Sequence, residues 1–438
     1  MERDSRRAQT SAHSAQSSGA DGDHLRATGR LGGMEIRPVS PAEWPEFLRA
    51  TEAAFHDDVH ADDLETYGAL FEPERSLAAF DGDAIAGTTA IFTRELTVPG
   101  AVVRAAGVTM VGVLPTHRRR GVLTALMRRQ LDDVRAAGES VAALWASEAA
   151  IYGRFGYGLA ARHAIVTLHT TGARLAPGVP TPGGRIRLLE PGDAIERIAP
   201  LYNRVRRERP GHLDRAGAWW RRRVRDAERH REGRTALRAA VHETAAGDVD
   251  GYALYAVKHG WEDGPAGVVH VRELIADGPG ATVALWDYLL GIDLTRTVQW
   301  RFAPPDEPLS QLIAGPQLER LVMGPNLWIR LVDVPAALAA RRYAAPLDVV
   351  FEVDDAFCPW NAGHHRLAAV DGRAACERTD APADIACSAA DLGAAYAGGT
   401  TLAALHAIGR VRELRPGAVE RASLAFGAAR EPWCPEVF

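Results

Sequence analysis

The stretch Val111-Gly-Val-Leu-Pro-Thr-His-Arg-Arg-Arg-Gly-Val-Leu123 decides how this chain is read. It opens as an apolar strand, turns through Pro115 and three consecutive arginines, and starts a helix at Gly121. The helix is legible from Leu123, Leu126, Met127, Leu131 and Val134, which recur three or four residues apart on one face. Main-chain N–H groups at a helix N-terminus lack intrahelical acceptors, so strand, turn and helix together make an anion cradle. Gly121 lets the backbone approach a pyrophosphate, and Arg118, Arg119 and Arg120 bring positive charge to the same turn. The competing reading is a solvated basic turn before an ordinary helix; the three elements in succession favour the anion site.

Upstream, Met34 to Val39 reads as a first strand, and Pro41 opens a helix capped by Ser40. Ser76–Phe80 and Ala84–Phe92 flank the Asp81-Gly-Asp turn as two strands, and Ala105–Val113 is a third. The helix after Gly121 ends at Ala136-Ala-Gly138, and Val141–Trp145 follows as a buried strand. The order β-α-β-β-β-α-β is mixed α/β, with a ligand crevice expected where neighbouring strands part.

Much of this recurs downstream. Ile186-Arg-Leu-Leu-Glu-Pro-Gly-Asp193 echoes Ile36-Arg-Pro-Val-Ser-Pro-Ala-Glu43, and Gly251–Val257 echoes Ile85–Ile91. Val268–Ile275 then leads through Asp277-Gly-Pro-Gly280 into a helix with Val283, Trp286, Leu289 and Leu290 on one face. That is the strand, turn and helix of residues 108–131 again without the arginines, as in an internal duplication with one degenerate copy. From about Leu331 the texture changes to an Ala-rich helix (Val334–Tyr343), a strand (Leu347–Val353) and a helical run from Ser388 to Tyr396, with no catalytic spacing. The chain stops at Trp433-Cys-Pro-Glu-Val-Phe438. Termini are normally polar and frayed, so an apolar, aromatic end is expected to be docked.

Bulk properties narrow the function. A chain of 438 residues needs two or three domains. With 47% hydrophobic and 24% charged residues it is globular, and a net charge of -5 argues against a nucleic-acid partner. Cys358, Cys376, Cys387 and Cys434 form no CxxC pair, which points away from zinc and secreted disulfides and towards a cytoplasmic protein. No metal site is expected; His56, His60 and His117 read as surface or turn residues. Residues 1–33 are polar and read as a disordered leader, or a mis-assigned start ahead of Met34. No segment has the apolar length of a membrane span, so no membrane partner is expected.

Arg118-x-x-Gly121-x-Leu123 resembles the pyrophosphate signature of the GNAT acetyltransferases, with Leu123 where a glycine or alanine is usual. Pro115–Gly121 and Ala146-Ser-Glu-Ala-Ala-Ile-Tyr-Gly-Arg-Phe-Gly-Tyr-Gly158 resemble one subfamily closely, the Enhanced intracellular survival (Eis) group of aminoglycoside acetyltransferases. The resemblance spans about Met34 to Phe438. It implies a catalytic GNAT domain (34–165), a degenerate GNAT-like domain (166–330) and a C-terminal domain similar to sterol carrier proteins (331–438), assembled as a homohexamer.

It further implies acetyl-CoA as co-substrate. Val111, Gly112 and Val113 would pair with the pantetheine arm, a main-chain N–H there polarising the thioester carbonyl. Arg118, Arg119, Arg120, Gly121, Val122, Leu123 and Thr124 would line the pyrophosphate, with Ser147 and Glu148 on the cofactor's other side. Tyr152 matches the general acid that protonates the departing thiolate; a phenol of pKa ~10 would do so at little cost. Phe438 matches a terminal phenylalanine whose free α-carboxylate is the base. Family members often carry an acid just before it, where Val437 stands here, with Glu436 one place earlier. On the acceptor side, Phe55–Glu65 holds five carboxylates in eleven residues, suited to a polycationic amine, although acids also decorate ordinary helix N-termini. Asp57, Tyr67 and Met110 match pocket positions. Two rival activities remain open: acetylation of protein lysines, and non-catalytic lipid or acyl-CoA binding. The sequence leaves the physiological acceptor and the regiochemistry undetermined.

Overall fold

The computed structural model describes residues 30–31, 33–180, 183–314 and 318–438, so most of the leader expected over 1–33 lies outside the described residues. The chain forms two compact units. The first comprises the chain up to Thr93, Ala106–Ala142 and the terminal Phe438; the second comprises Arg94–Ala105 and Ala143–Val437.

Strands β1 (Arg30–Leu31), β2 (Met34–Pro38), β3 (Leu77–Asp81), β4 (Ala84–Val98) and β5 (Ala101–Val113) are sheet neighbours in that order, and the first unit holds them except for Arg94–Ala105. The strand structure therefore starts earlier than Met34. Leu31 pairs with Met34 and buries its side chain beside Ile36, Leu77 and Ala79, so the end of the leader joins a core. Helices α1 (Trp44–Phe55), α2 (Ala61–Gly68) and α3 (Val122–Ala136) complete the unit. Val122, Ala125 and Leu126 of α3 pack on the face carrying Ile36, Leu77, Ala79 and Ala86. Phe47 of α1 packs on the other, with Val39, Ala78, Phe80, Ile85 and Ala90. Alternation along β3 thus feeds two cores, one under each helix. Ser40 does open the first helical segment: its N–H and hydroxyl both donate to Glu43 Oε2 at 2.8 Å. The segment begins as a 3-10 turn (Pro41–Glu43) and becomes α-helical at Trp44.

β6 (Val141–Trp145) leads into the second unit, followed by α4 (Ala149–Tyr152), β7 (Gly158–Leu159) and β8 (Arg162–His169). A seven-stranded sheet then forms from β8, β9 (Arg185–Leu189), β10 (Arg238–Glu243), β11 (Val249–Lys258), β12 (Gly267–Ala276), β13 (Thr295–Ala303) and β14 (Leu318–Pro325). Its order is β9-β10-β11-β12-β13-β8-β14. Helices α5 (Pro191–Val205), α6 (Gly217–Val224) and α7 (Pro279–Leu290) accompany it. The repeat read in the sequence is thereby visible: β9 and α5 follow each other as β2 and α1 do, and β12 and α7 as β5 and α3 do. β12 and β13 run parallel, with Val271 and Trp300 as their last paired residues.

The chain continues through β15 (Leu327–Leu331), α8 (Val334–Ala340), β16 (Leu347–Asp354), β17 (Gly363–Val370), β18 (Arg373–Arg378), β19 (Ile385–Ser388), α9 (Ala389–Ala395) and β20 (Arg412–Glu413). β16 to β20 form a five-stranded sheet, β18-β17-β16-β19-β20, while β15 pairs antiparallel with β7. Ser388 caps α9 by accepting from the Asp391 N–H at 3.2 Å. Among the described residues no helix is long and apolar enough to cross a membrane.

Candidate active site

The first unit carries Asp57, Tyr67, Met110, Val111–Val113, Arg118–Thr124 and Phe438; the second carries Ser147, Glu148 and Tyr152.

The cradle is built from backbone. Met110 adopts φ 51°, a left-handed residue inside β5, where a non-glycine side chain is strained by about 1–3 kcal/mol. The Thr88 hydroxyl holds the distortion by donating to the Met110 carbonyl at 2.9 Å. Beyond it, Gly112 lies so close to α1 that a Cβ would meet Ala54 Cβ at 2.8 Å. Leu114 N–H returns to Ala86 O at 3.0 Å, and the basic turn follows. Arg119 (φ 63°) and Gly121 (φ 83°) are both left-handed, the backbone alternation that turns successive N–H groups into an anion-binding concavity. Gly121 is the N-cap of α3 and has no side chain with which to cap it. The first helical bond runs from Ala125 N–H to Gly121 O, leaving the N–H groups of Val122, Leu123 and Thr124 without helical acceptors.

The three arginines divide their work. The Arg118 guanidinium turns back, donating to Val113 O at 3.2 Å and Ala54 O at 3.0 Å, and so pins the turn to strand and helix. Arg119 and Arg120 are exposed. Read from the sequence, all three share one electrostatic role; the backbone carbonyls engage one of them. His117 is a turn residue, bonded to Asp81 Oδ2 at 3.1 Å.

On the acceptor side, α1 ends at the left-handed His56, and Asp57 N–H closes the turn on Glu52 O at 3.0 Å. Asp57 is exposed, its Oδ1 accepting from Asp58 N–H at 2.9 Å. Asp62 and Asp63 sit in the first turn of α2, as helix-terminal acids do. Tyr67 lies on the last turn of α2, partly buried. Sequence reasoning passed over Glu52. It is partly buried, and burial, with Asp57 and Asp63 nearby, raises its carboxyl above the ordinary range. Its signal was its place on α1, one turn before the acidic loop.

In the second unit, Ser147 and Glu148 are exposed between β6 and α4, with Glu148 at the N-cap position of α4. Tyr152 is 8% exposed and lies edge-on to Tyr157, ring centroids 6.0 Å apart. Burial, and secondarily Glu148, push its phenol up to about 12, above the ~10 assumed from sequence. Two glycines of the same motif, Gly156 and Gly158, prove to be packing residues. A Cβ on Gly156 (φ 82°) would overlap the Arg330 guanidinium, and one on Gly158 would lie 1.9 Å from Ala390 O in α9. The docked C-terminus is also present: Trp433 is 2% exposed and its N–H donates to Pro210 O at 2.9 Å. Glu436 is buried against Arg215. Burial opposes its ionisation, but Arg215, Arg223 and Arg94 outweigh that and hold the carboxyl below its ordinary value. Glu436 is therefore an anchoring anion. Among the described residues no group of His, Cys, Asp and Glu is arranged to hold a metal.

Comparison with known proteins matches residues 35–160 and 211–331 to two acetyltransferase (GNAT) domain families, and 334–435 to the sterol carrier protein domain. An "Uncharacterized N-acetyltransferase" of Streptomyces avermitilis is 45% identical over 92% of this chain and 99% of its own. "N-acetyltransferase Eis" of Mycobacterium tuberculosis is 33% identical over 90% of this chain and 98% of its own. The crystal structure of Eis1 from Mycobacterium abscessus superposes with a TM-score of 0.79 at 34% identity, covering 92% of this chain and all of that one. Two GNAT domains and a sterol-carrier-like domain in this order, with these relatives over nearly the whole length, make the chain a member of the Eis family of N-acetyltransferases.

Proposed function

We propose that the chain transfers acetyl from acetyl-CoA directly to a primary amine of an aminoglycoside or similar polyamine, with Tyr152 as general acid and the Phe438 α-carboxylate as general base. The observation that carries this reading is the treatment of the C-terminus. Cys434 to Glu436 are held by specific hydrogen bonds, and Phe438 groups with the unit that bears the cradle.

In this reading Val111–Val113 and Arg118–Thr124 hold acetyl-CoA, joined by Ser147 and Glu148. The uncapped first turn of α3 and the exposed Arg119 and Arg120 suit a pyrophosphate. Asp57, Tyr67 and Met110 meet the acceptor, and Glu52 adds to the acidic field that draws a polycation. The Phe438 carboxylate takes a proton from the acceptor ammonium, and the free amine attacks the thioester carbonyl. As the C–S bond breaks, Tyr152 gives its proton to the sulfur; the amine's second proton restores the phenol. The sum is one amide, one thiol and one proton released. The same reading sets domain boundaries at 34–165, 166–330 and 331–438 and a cytoplasmic homohexamer as the working form. The test is an acetyl-CoA turnover screen against aminoglycosides, diamines and lysine peptides. Preferred turnover of lysine peptides would transfer the assignment to protein acetylation, and no turnover of any amine would overturn it.

A further inference from the structure

In the second copy two neighbouring parallel strands part, the feature expected to open a ligand crevice. β12 and β13 are parallel and paired only as far as Val271 and Trp300, so Arg272–Ala276 run on beside an opening. By the repeat, Leu274–Ala276 stand where Val111–Val113 stand in the first copy. The basic turn is missing there: Asp277-Gly-Pro-Gly280 replaces the arginines ahead of α7.

The chain's own C-terminal segment borders the opening. Leu274, Ile275, Ala276 and Thr282 share a cavity of about 250 Å³ with Arg430 and Trp433. Trp433 lies edge-on to Trp300 at 6.0 Å and to His212 at 5.3 Å. Asn326 mimics a neighbouring strand, accepting from Cys434 N–H at 2.8 Å and donating to Cys434 O at 3.0 Å. Arg223 bridges the free arm and the tail, donating to Arg272 O at 3.0 Å and Pro435 O at 3.2 Å. Arg215 does the same through charge, forking onto Glu273 at 2.9 Å and pairing with Glu436. Arg223 also reaches Glu273 at 2.9 Å, so two guanidiniums balance two carboxylates in this buried cluster. The backbone around the tail is shaped to admit it. A Cβ on Gly211 (φ 94°) would lie 2.8 Å from Trp433 O, and one on Gly399 would lie 2.6 Å from Pro432 Cγ.

We propose that the cofactor slot of the second copy has become the receptor for the C-terminal segment, and that Asn326, Arg215 and Arg223 are positioning residues for the Phe438 carboxylate. Glu436 is held by Arg215, and one exposed residue, Val437, separates it from the carboxylate-bearing one. The positioning role rests on the reading of Phe438 as base. The receptor role does not.

Arg215, Glu273 and Glu436 are poor probes, because removing one leaves a buried charge unpaired. Asn326→Ala and Gly399→Ala are neutral: the first deletes both bonds to Cys434, and the second drives a methyl against Pro432. Each full-length variant is checked for folding by circular dichroism, then exposed to a carboxypeptidase with release of Phe438 followed by mass spectrometry. In parallel, kcat and the KM for acetyl-CoA are measured. Expected are release faster by about 10- to 100-fold and a kcat lower by a similar factor, with the KM for acetyl-CoA within about twofold of wild type. Release at the wild-type rate in both folded variants overturns the receptor. Faster release with full kcat upholds the receptor and overturns Phe438 as base.

Discussion

Replacing Tyr152 by Phe removes one oxygen from a side chain that is 8% exposed and keeps the edge contact with Tyr157. The size of the effect follows from the phenol's surroundings. Burial first, and Glu148 second, push its pKa up to about 12. A thiolate of pKa ~8.5 to ~10 is a weaker base than that phenolate by roughly 2–3.5 units, or about 3–5 kcal/mol. Transfer is therefore uphill even to the finished thiolate and steeper ahead of C–S cleavage. The phenol thus acts first as a hydrogen-bond donor to the developing charge, and the amine's second proton restores it. A donor acting at that point contributes about 10²-fold or more, so kcat of Tyr152→Phe is expected to fall by at least that factor, with the Kd for acetyl-CoA unchanged. The sign of the pH dependence is also set. A raised phenol pKa keeps the active, protonated form across the assay range, so wild-type kcat should show no alkaline limb up to pH ~10. Stopped-flow or coupled thiol-release assays from pH ~6 to ~10.5 measure both quantities. A variant within about threefold of wild type would refute the acid assignment. So would a wild-type alkaline limb below pH ~10 that persists unchanged in the variant.

Changing Arg119 to Ala together with Gly121 to Asp removes one exposed cation and puts an anion on a left-handed position at the mouth of α3. Calorimetry should show acetyl-CoA binding weaker by about 2–4 kcal/mol, and unchanged affinity in a folded protein removes the cradle from this turn. Amidating Phe438, or appending a short tag, should lower kcat by about 10²-fold while acetyl-CoA binding stays near wild type; equal turnover means the base lies elsewhere. Gly158→Ala places a methyl 1.9 Å from Ala390 O. A melt should show Tm lowered by at least about 5 °C, corresponding to roughly 3 kcal/mol, or no folded protein; an unchanged Tm refutes the packing role given to this glycine.

The sequence by itself determined what depends on local pattern. The 3.6-residue recurrence from Leu123 to Val134, the Asp81-Gly-Asp turn and the limits of Val141–Trp145 are written in neighbouring residues. The duplication was legible because both copies must alternate and turn at the same places. The residues around Arg118-x-x-Gly121 indicate an anion site by themselves; the acetyltransferase class came from the resemblance of that stretch and of Ala146–Gly158 to the GNAT and Eis motifs. What the tertiary structure decided depends on residues distant in sequence. Arg118 and Arg119 read alike until the Val113 and Ala54 carbonyls engage the first of them. Gly156 and Gly158 sit in a motif read for catalysis, and only Arg330 and Ala390, far along the chain, show that they admit a neighbour. The phenol of Tyr152 lies well above a free tyrosine because burial is a property of packing, which no local spacing encodes. Glu436, one place from where the family expects an acid, is an anchor because Arg215 and Arg223 meet it from a segment more than 200 residues earlier. Charges and cavities depend on the whole fold, and strands and helices largely on their own residues; that difference sets how far the sequence could be read.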